Sequence, residues 1–353
     1  MADTYIFRID HHGSLIRPAG LVAARQAHRD GELDAAALRE VEDSAITEAV
    51  RMQRKLNLTA TTDGEFRRDD FRAAVLGAVT GFADEGLDRG GMVDFVSNGP
   101  VSRVEGAGGG LVVEDALFAA ALSEIPGKAS LPSPAFLVAR AYRDGVGPYE
   151  SPEALGEALA AVIRDEVRAL IEAGIRYVQI DDPNLSAYYT GRGGDAVLSL
   201  EAALALDASV LEGLDRPDDV RVALCPDWGR RGDGPIDEGV FEQIVGSLPY
   251  DRYLLPYHEQ RHVDEALLRF VPEQVDIALG VVSATAPELE DVDEVMLRLD
   301  RAFELKDLDR IALAPHRGFQ LSAFETPAMT IEQQRRKLET VETLARMCWG
   351  NEL

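Results

Sequence analysis

The stretch that decides the fold is Tyr177-Val178-Gln179-Ile180-Asp181-Asp182-Pro183. Its apolar and β-branched residues predict a buried strand, and the acids that follow place polar groups at its carboxyl end. A helix is predicted directly before it, from Ser151, a favoured N-cap residue, to about Ala173, and Gly174 ends that helix. A long helix that leads into a buried strand is part of a βαβ unit, so this stretch predicts a parallel sheet.

The same alternation of strands and helices continues on both sides of this stretch. Further strands are predicted at Tyr5–Ile9, Leu58–Thr62, Ala135–Ala139, Val220–Cys225, Tyr253–Tyr257, Asp276–Val282 and Arg310–Ala314. Further helices are predicted at Leu33–Leu56, Asp69–Val79, Leu200–Leu211, Asp237–Val245, Val263–Phe270, Val292–Phe303 and from about Thr330 to Met347. About eight strands separated by helices predict a closed (β/α)8 TIM barrel rather than an open sheet. No Gly-x-Gly-x-x-Gly follows the first strand, which disfavours nucleotide binding.

One region interrupts the alternation. Residues 80–127 are rich in glycine, including Gly108-Gly109-Gly110, and Leu111–Val113 has the composition of a hairpin strand. We predict a hairpin-like insertion here rather than a second domain. The chain is therefore predicted to be one (β/α)8-barrel catalytic domain over residues 1–353.

Composition and charge narrow the classes of function. A hydrophobic fraction of 46% is enough for a sizeable core, and the net charge is -26. An acidic surface repels phosphate groups and anionic lipids, so neither nucleic acid nor a membrane surface is an expected partner. The two cysteines, Cys225 and Cys348, make no disulfide framework, and no signal peptide or membrane-length apolar run is visible, which predicts a cytoplasmic protein. The expected partner is a small-molecule substrate, and the long final helix is compatible with a homodimer.

Active sites of such barrels lie at the carboxyl ends of the strands, and polar residues gather at those positions here. They are Asp10, His11, His12, Ser14, Asp63, Glu65, Asp181, Asp182, Cys225, Asp227, His258, Glu259, His316 and Arg317. Because burying an unpaired charge is costly, a barrel keeps such residues at its mouth for pairing or for function. Helix capping is an alternative role for Asp10, Asp63 and Asp227. His12 is expected to be structural or exposed.

Four segments, in the right order, resemble the cobalamin-independent methionine synthase family, and in particular its short single-barrel members. The segment His11–Pro18 resembles the opening Gly-Ser-x-x-Arg-Pro motif, and Asp63–Arg68 is similar to Asp-Gly-Glu-Phe-x-Arg. Gln179–Pro183 is similar to the family's Gln-Ile-Asp-Glu/Asp-Pro, and Leu279–Asp293 resembles its strand-seven region. The resemblance spans nearly the whole chain. It implies a barrel that binds a sulfur amino acid and transfers a methyl group to the thiolate.

The resemblance also implies how the amino acid is held. In the family, a serine, a glutamate and an aspartate hold its polar ends, and these correspond to Ser14, Glu65 and Asp181. The chemistry is reasonable, because a hydroxyl group suits a carboxylate and two carboxylates suit an ammonium group.

The zinc site that the resemblance implies is largely missing. The family activates the thiol on zinc held by a His-x-Cys pair, a glutamate and a second cysteine. The matching positions here are Ala223 and Cys225, Pro256, and Arg317, so only one ligand remains. One cysteine does not hold a zinc ion. No cofactor is therefore expected, although zinc or another divalent metal is the alternative, and a folate methyl donor is implied by the resemblance alone.

Two interpretations of the polar residues at the barrel mouth, where the strands have their carboxyl ends, stay open. In the favoured one, Arg317 receives an anionic group or stabilises negative charge, His316 and His258 act as acid and base, and Cys225 is a nucleophile or a bystander. In the other, a metal site is rebuilt from His11, His258, His316 and Cys225.

The predicted function is an enzyme that acts on a small amino-acid-like or sulfur-containing substrate by methyl or alkyl transfer or by bond cleavage. One alternative is a decarboxylase of the uroporphyrinogen-decarboxylase type, whose related barrel holds carboxylates with arginines such as Arg317. Another is a ligand sensor without catalysis. Convergence of Cys225, His258 and His316 near Asp181 would favour an enzyme over a sensor.

Overall fold

The computed structural model describes residues 6–82, 101, 111–145, 147–192, 194, 196–227, 236–258, 261–262 and 265–351. Most of the predicted insertion at residues 80–127 lies outside these ranges, so the hairpin stays a prediction. The division of the chain into one domain over residues 1–353 also stays a prediction.

Parallel strands form the centre of the fold. They are Lys128–Pro132 (β1), Tyr177–Asp181 (β2), Arg221–Cys225 (β3), Arg252–His258 (β4), Asp276–Val282 (β6) and Ile311–Pro315 (β7), with the two-residue strand Arg261–His262 (β5) between the fourth and fifth. The sheet order is β1-β2-β3-β4-β6-β7, and each of these neighbours pairs in parallel, whereas β5 pairs antiparallel with β4. Nearly every residue of the six parallel strands is buried, as continuous apolar strands of an α/β protein require.

Two short segments join the edges of this sheet. Ile9 forms a parallel bridge with Leu313 of β7, and Thr61 forms one with Gly127, directly before β1. The two segments are themselves connected, because the backbone N–H of Thr59 donates to the Ile9 carbonyl at 3.0 Å. Hydrogen bonds therefore run from β7 through both segments to β1, which is the connection that an eight-stranded barrel needs.

Helices connect the strands. They are Ala19–Arg29 (α1), Ala35–Lys55 (α2), Ala73–Leu76 (α3), Val113–Ala121 (α4), Pro134–Ala141 (α5), Pro152–Glu172 (α6), Leu185–Tyr189 (α7), Leu200–Ser209 (α8), Glu238–Ser247 (α9), Val292–Leu305 (α10) and Ile331–Trp349 (α11), with 3-10 turns at Glu265–Phe270 and Leu308–Arg310. Many begin at a capping side chain: the Ser151 hydroxyl accepts the N–H of Ala154, and Thr330 forms a capping box with Gln333. Within the described ranges, no helix combines the length and the apolarity needed to cross a membrane.

Two predicted strands are wrong. Ala135–Ala139 lies inside α5, and the strand comes earlier, at β1. The local sequence explains the helix, because the Ser133 hydroxyl accepts the N–H of Phe136 and Pro134 occupies the first helical position. Leu111–Val113, predicted as a strand of the insertion, instead leads into the helix α4.

A fully buried charge network lies inside the ring of strands. The Lys128 ammonium group donates to Asp10 Oδ1 at 2.7 Å and to the His11 carbonyl at 2.6 Å. The Tyr177 hydroxyl donates to Asp10 Oδ2 at 2.5 Å, and the Arg252 guanidinium lies 3.5 Å from the same oxygen. Burial by itself would raise the pKa of Asp10, but the charges of Lys128 and Arg252 outweigh it and lower the pKa to about 2. Asp10 is therefore the centre of an ion network and not the helix cap considered from the sequence.

The network predicts a large stability loss when one partner is removed. Lys128→Met leaves Asp10 buried with a weaker counter-charge, and breaking a buried ion pair in this way costs about 3–5 kcal/mol. We expect that decrease in the free energy of unfolding, measured by urea denaturation. Lys55→Met is the matched control, because Lys55 is exposed at the end of α2. Equal stability of the two variants would contradict the role of the network.

Candidate functional site

The loop after residue 10 packs closely against the loop that contains Glu65. Gly13 has a φ of +114°, and a Cβ there would lie 3.2 Å from both Glu65 Oε1 and Ser130 Oγ. Ser14 follows, and its buried hydroxyl has no hydrogen-bond partner among the described residues. A Cβ on Gly318 would lie 2.0 Å from this hydroxyl. Glycine is therefore required at both positions for the strand ends to approach one another.

Glu65 is held in a strained conformation beside this loop. Its φ of +60° lies in the left-handed region, which residues other than glycine rarely adopt. The Arg17 guanidinium donates to its carbonyl at 2.8 Å, and the Ser130 hydroxyl donates to Oε1 at 2.7 Å. The other carboxylate oxygen, Oε2, is buried and has no partner in the described part of the chain. Burial raises the pKa of Glu65, while Arg68 and the Ser130 hydrogen bond act in the opposite direction.

Asp181 is the last residue of β2, and its side chain is oriented by Gln179 of the same strand. The Gln179 amide donates to its Oδ1 at 2.8 Å and to the His12 carbonyl at 3.1 Å, so one side chain connects two strand ends. Burial and then the charge of Glu65 raise the pKa of Asp181 to about 7. The two carboxyl groups are thus close enough to disfavour each other's ionisation.

His12, Asp181 and Cys225 form one buried cluster. A ring nitrogen, a carboxylate oxygen and the thiol sulfur all lie within 4.8 Å of one another. Asp181 and Cys225 are register partners on the neighbouring strands β2 and β3, which explains their contact. The Cys225 thiol also donates to the Asp227 carbonyl at 3.4 Å, and burial, with the charges of Asp181 and Asp227, raises its pKa well above the usual range.

His12 is the residue that sequence reasoning underestimated. It was expected to be structural or exposed, and its exposed fraction of 6% excludes only the exposed alternative. Its Nδ1 atom has no hydrogen-bond partner among the described residues. Burial, followed by the charge of Lys128, lowers its pKa to about 3, so the ring is neutral at ordinary pH. The sequence feature that could have indicated a functional role for His12 is its position just beyond the first strand segment.

His258 and His316 form a second group in the same mouth. Their ring centroids are 4.3 Å apart, with the planes tilted by 45°. The backbone N–H of Ala284 donates to His316 Nδ1 at 3.0 Å, and this contact, shorter than the 3.4 Å from the same nitrogen to the Val282 carbonyl, favours the neutral ring with its proton on Nε2. Burial, followed by the charges of His258, Arg317 and His12, lowers the pKa of His316 to about 2. The influence of His12 shows that the two groups adjoin.

A buried lysine orients the loop that holds His316. The Lys337 ammonium group, on α11, donates to Glu290 Oε1 at 2.7 Å. The same oxygen accepts the backbone N–H of Ser283 at 2.7 Å, one residue before Ala284. Helix α11 therefore fixes the backbone group that sets the tautomer of His316.

Arg317 and His11 lie at the edge of this arrangement. The guanidinium of Arg317 is partly exposed, 3.8 Å from a carboxylate oxygen of Glu325, and its charge acts on both His12 and His316. His11 is buried, and burial followed by the charge of Lys128 lowers its pKa to about 4. The metal-ligand set considered from the sequence combined His11, His258 and His316 with Cys225. Among the described residues, the potential ligands that converge on Cys225 are instead His12 and Asp181.

A parallel α/β fold whose strands end in buried acids, histidines and a thiol defines a barrel-type enzyme scaffold with its site at the usual face. The sequence pattern described as "Cobalamin-independent synthase, Catalytic domain" matches residues 13–212, more than half of the chain. The chain belongs to this family, whose relatives with assigned activities are methyltransferases. The family predicted from the four sequence segments is confirmed.

Individual relatives support the same assignment over the full length. The chain is 30% identical to the uncharacterized Bacillus subtilis protein YxjH, over 97% of this chain and 95% of that protein. It resembles the structure of a putative vitamin-B12 independent methionine synthase from Listeria monocytogenes, with a TM-score of 0.78, 27% identity and 98% coverage of both chains. A B12-independent methionine synthase from Shewanella sp. W3-18-1, solved in complex with selenomethionine, shares the fold, with a TM-score of 0.72, 20% identity and 97% coverage of both chains.

The tautomer of His316 can be tested directly. We expect nitrogen NMR of labelled histidine to show a neutral ring protonated on Nε2 at neutral pH, assigned through the spectrum of His316→Gln. Glu290→Gln should shift these signals, because it removes the carboxylate that links Lys337 to the loop. Glu288→Gln is the control, since that side chain is exposed and only the backbone carbonyl of Glu288 contacts Lys337. A ring protonated on Nδ1 would overturn the assignment.

Proposed function

We propose that this protein is an enzyme that acts on a small amino-acid-like or sulfur-containing substrate, by methyl or alkyl transfer or by bond cleavage. One observation carries the proposal: the Ser14 hydroxyl and Glu65 Oε2 are buried without partners in the described residues, beside Asp181. Buried polar atoms are nearly always satisfied, so unsatisfied ones in a strand-end site indicate groups that wait for a ligand.

An α-amino acid fits these groups. The Ser14 hydroxyl donates to the carboxylate of the ligand, and Glu65 and Asp181 accept hydrogen bonds from its ammonium group. A cation between the two acids also relieves the repulsion that raises the pKa of Asp181. The same acids repel a substrate with several carboxylates, which disfavours the decarboxylase alternative.

We assign the catalytic roles to the other polar residues of the barrel mouth. His316 offers an Nε2 proton and stands against His258, so this pair serves as acid and base toward the substrate. The guanidinium of Arg317 receives an anionic group or stabilises developing negative charge. Cys225 acts as a nucleophile only after losing its proton, because burial favours the neutral thiol.

The family's zinc does not fit the residues at the positions implied by resemblance. Those positions are Ala223, Cys225, Pro256 and Arg317. Alanine and proline side chains have no ligand atom, and arginine does not deprotonate, so one ligand of four remains. The proposed reaction therefore does not run through that set of ligands.

The amino-acid interaction predicts a clear binding result. Glu65→Gln should weaken methionine binding by about 1.5–3 kcal/mol, the usual value of a hydrogen bond to a charged group, measured by calorimetry on chelator-treated protein. Glu40→Gln, at an exposed position on α2, is the matched control. The analogue of methionine that lacks the amino group should bind weakly to the wild type and be insensitive to Glu65→Gln. Equal binding of the two ligands would refute ammonium recognition.

Turnover separates an enzyme from a sensor. Thiol amino acids incubated with the protein and candidate methyl donors should give an alkylated or cleaved product, detected by mass spectrometry. The product should decrease strongly in Arg317→Gln and in His316→Gln, and His316→Gln should keep wild-type amino-acid affinity. Tight binding with no product from any donor would favour the ligand-sensor alternative.

A further inference from the structure

We infer that His12, Asp181 and Cys225 form a binding site for one divalent transition-metal ion, of which zinc matches the donors best. This ligand set shares only Cys225 with the set that the family resemblance implies. It goes beyond the proposed function, because amino-acid recognition by Ser14, Glu65 and Asp181 in the metal-free protein does not require it.

The geometry of the three side chains carries the inference. Their ligand atoms lie within 4.8 Å of one another, and all three residues are buried. Ligand atoms around tetrahedral zinc are about 3.5 Å apart, given metal–ligand bonds of about 2.0–2.3 Å. Small side-chain rotations therefore bring the cluster to bonding distance. Three protein ligands with a fourth position left open are the arrangement of catalytic rather than structural zinc.

The hydrogen bonds around the cluster leave the donor atoms available. His12 Nδ1 is buried without a partner in the described residues, which is costly unless a ligand satisfies it. Gln179 orients Asp181 by donating to Oδ1. The Cys225 thiol donates weakly to the Asp227 carbonyl at 3.4 Å and also shares a side-chain hydrogen bond with Asp181, so these two proposed ligands already face each other.

The charges also balance. When the Cys225 thiol binds a divalent ion, the sulfur–metal bond replaces the S–H bond and the proton leaves to solvent. One thiolate, one carboxylate and one neutral imidazole then neutralise the two positive charges. Asp181 is occupied in this state, so Glu65 is the carboxylate left for the ammonium group of a substrate.

The site predicts one metal ion per chain with a cysteine ligand. Purified protein, freed of metal and titrated with Co²⁺, should bind one equivalent and develop a thiolate-to-cobalt charge-transfer band. Elemental mass spectrometry after loading with Zn²⁺ should give the same stoichiometry. His12→Ala and Cys225→Ser should lose the band and weaken binding by more than the 10–100-fold that changes to surrounding residues cause.

Two histidine variants serve as controls. His28→Gln removes a histidine from α1, outside the mouth, and His316→Gln removes one from the mouth but outside the cluster. Both should bind the metal as the wild type does. Circular dichroism establishes that each variant is folded. Asp181→Asn is a third variant of a proposed metal ligand, and it is a conservative one.

Three results would overturn the inference: no uptake by folded wild-type protein, uptake without a thiolate band, or unchanged uptake by folded His12→Ala. Loss of binding in His316→Gln but not in His12→Ala would favour a different set of ligands. Methionine binding to metal-free protein is measured separately. Failure of the metal site is thereby distinguishable from failure of the proposed function.

Discussion

The contacts of Asp10 with Lys128, Tyr177 and Arg252 are the constraint on which the rest of the structure depends. Among the described residues of the first chain segment, Ile9 alone lies in a strand bridge, so backbone pairing by itself holds the segment weakly. Buried charges supply what the short segment lacks, because Asp10 is bonded to side chains from β1, β2 and β4. The Lys128 ammonium group also donates to the His11 carbonyl, and this second hydrogen bond restricts its position further. The positions of His12 and Ser14 follow from this anchoring.

Desolvation then determines the protonation states of the titratable groups in the site. Burial keeps His12 and His316 neutral, so both rings serve as hydrogen-bonding or ligand groups rather than as cations. Burial and mutual repulsion also leave Asp181 close to half-protonated near neutral pH. Glu65 Oε2 is an acceptor without a partner among the described residues, while Arg68 lies 3.8 Å from Oε1 of the same carboxylate and Arg317 stands at the edge of the site. The unpartnered acceptor is the observation on which the proposed recognition of an ammonium group rests.

The sequence predicted the middle of the sheet well and its beginning poorly. Asp276–Val282 was predicted with its observed bounds, because it is a buried apolar run between clear helices. Tyr5–Ile9 was predicted as a strand, yet among its described residues only Ile9 makes a bridge, and the segment is held by a few backbone hydrogen bonds together with side-chain charges. Ala135–Ala139 was mistaken for a strand because an apolar run this short fits either structure, and the Ser133 cap decides for helix. His12 could not be recognised from spacing, because its partners are set by the approach of three strand ends.

The replacement of the family's zinc ligands is best understood through strand geometry. Alternate residues of a strand face the same side, so residues 223 and 225 of β3 share a face, as do Gln179 and Asp181 of β2. With alanine at 223, the retained Cys225 has Asp181 as its neighbour across the strands and no histidine on its own strand. The histidine that reaches it comes instead from the first loop, at His12. In the metal site that we infer, a donor missing from one strand is replaced in space by a donor from another, and the position of that donor depends on the Asp10 network rather than on β3. Changes at that network should therefore alter the chemistry of the mouth without touching any residue in it.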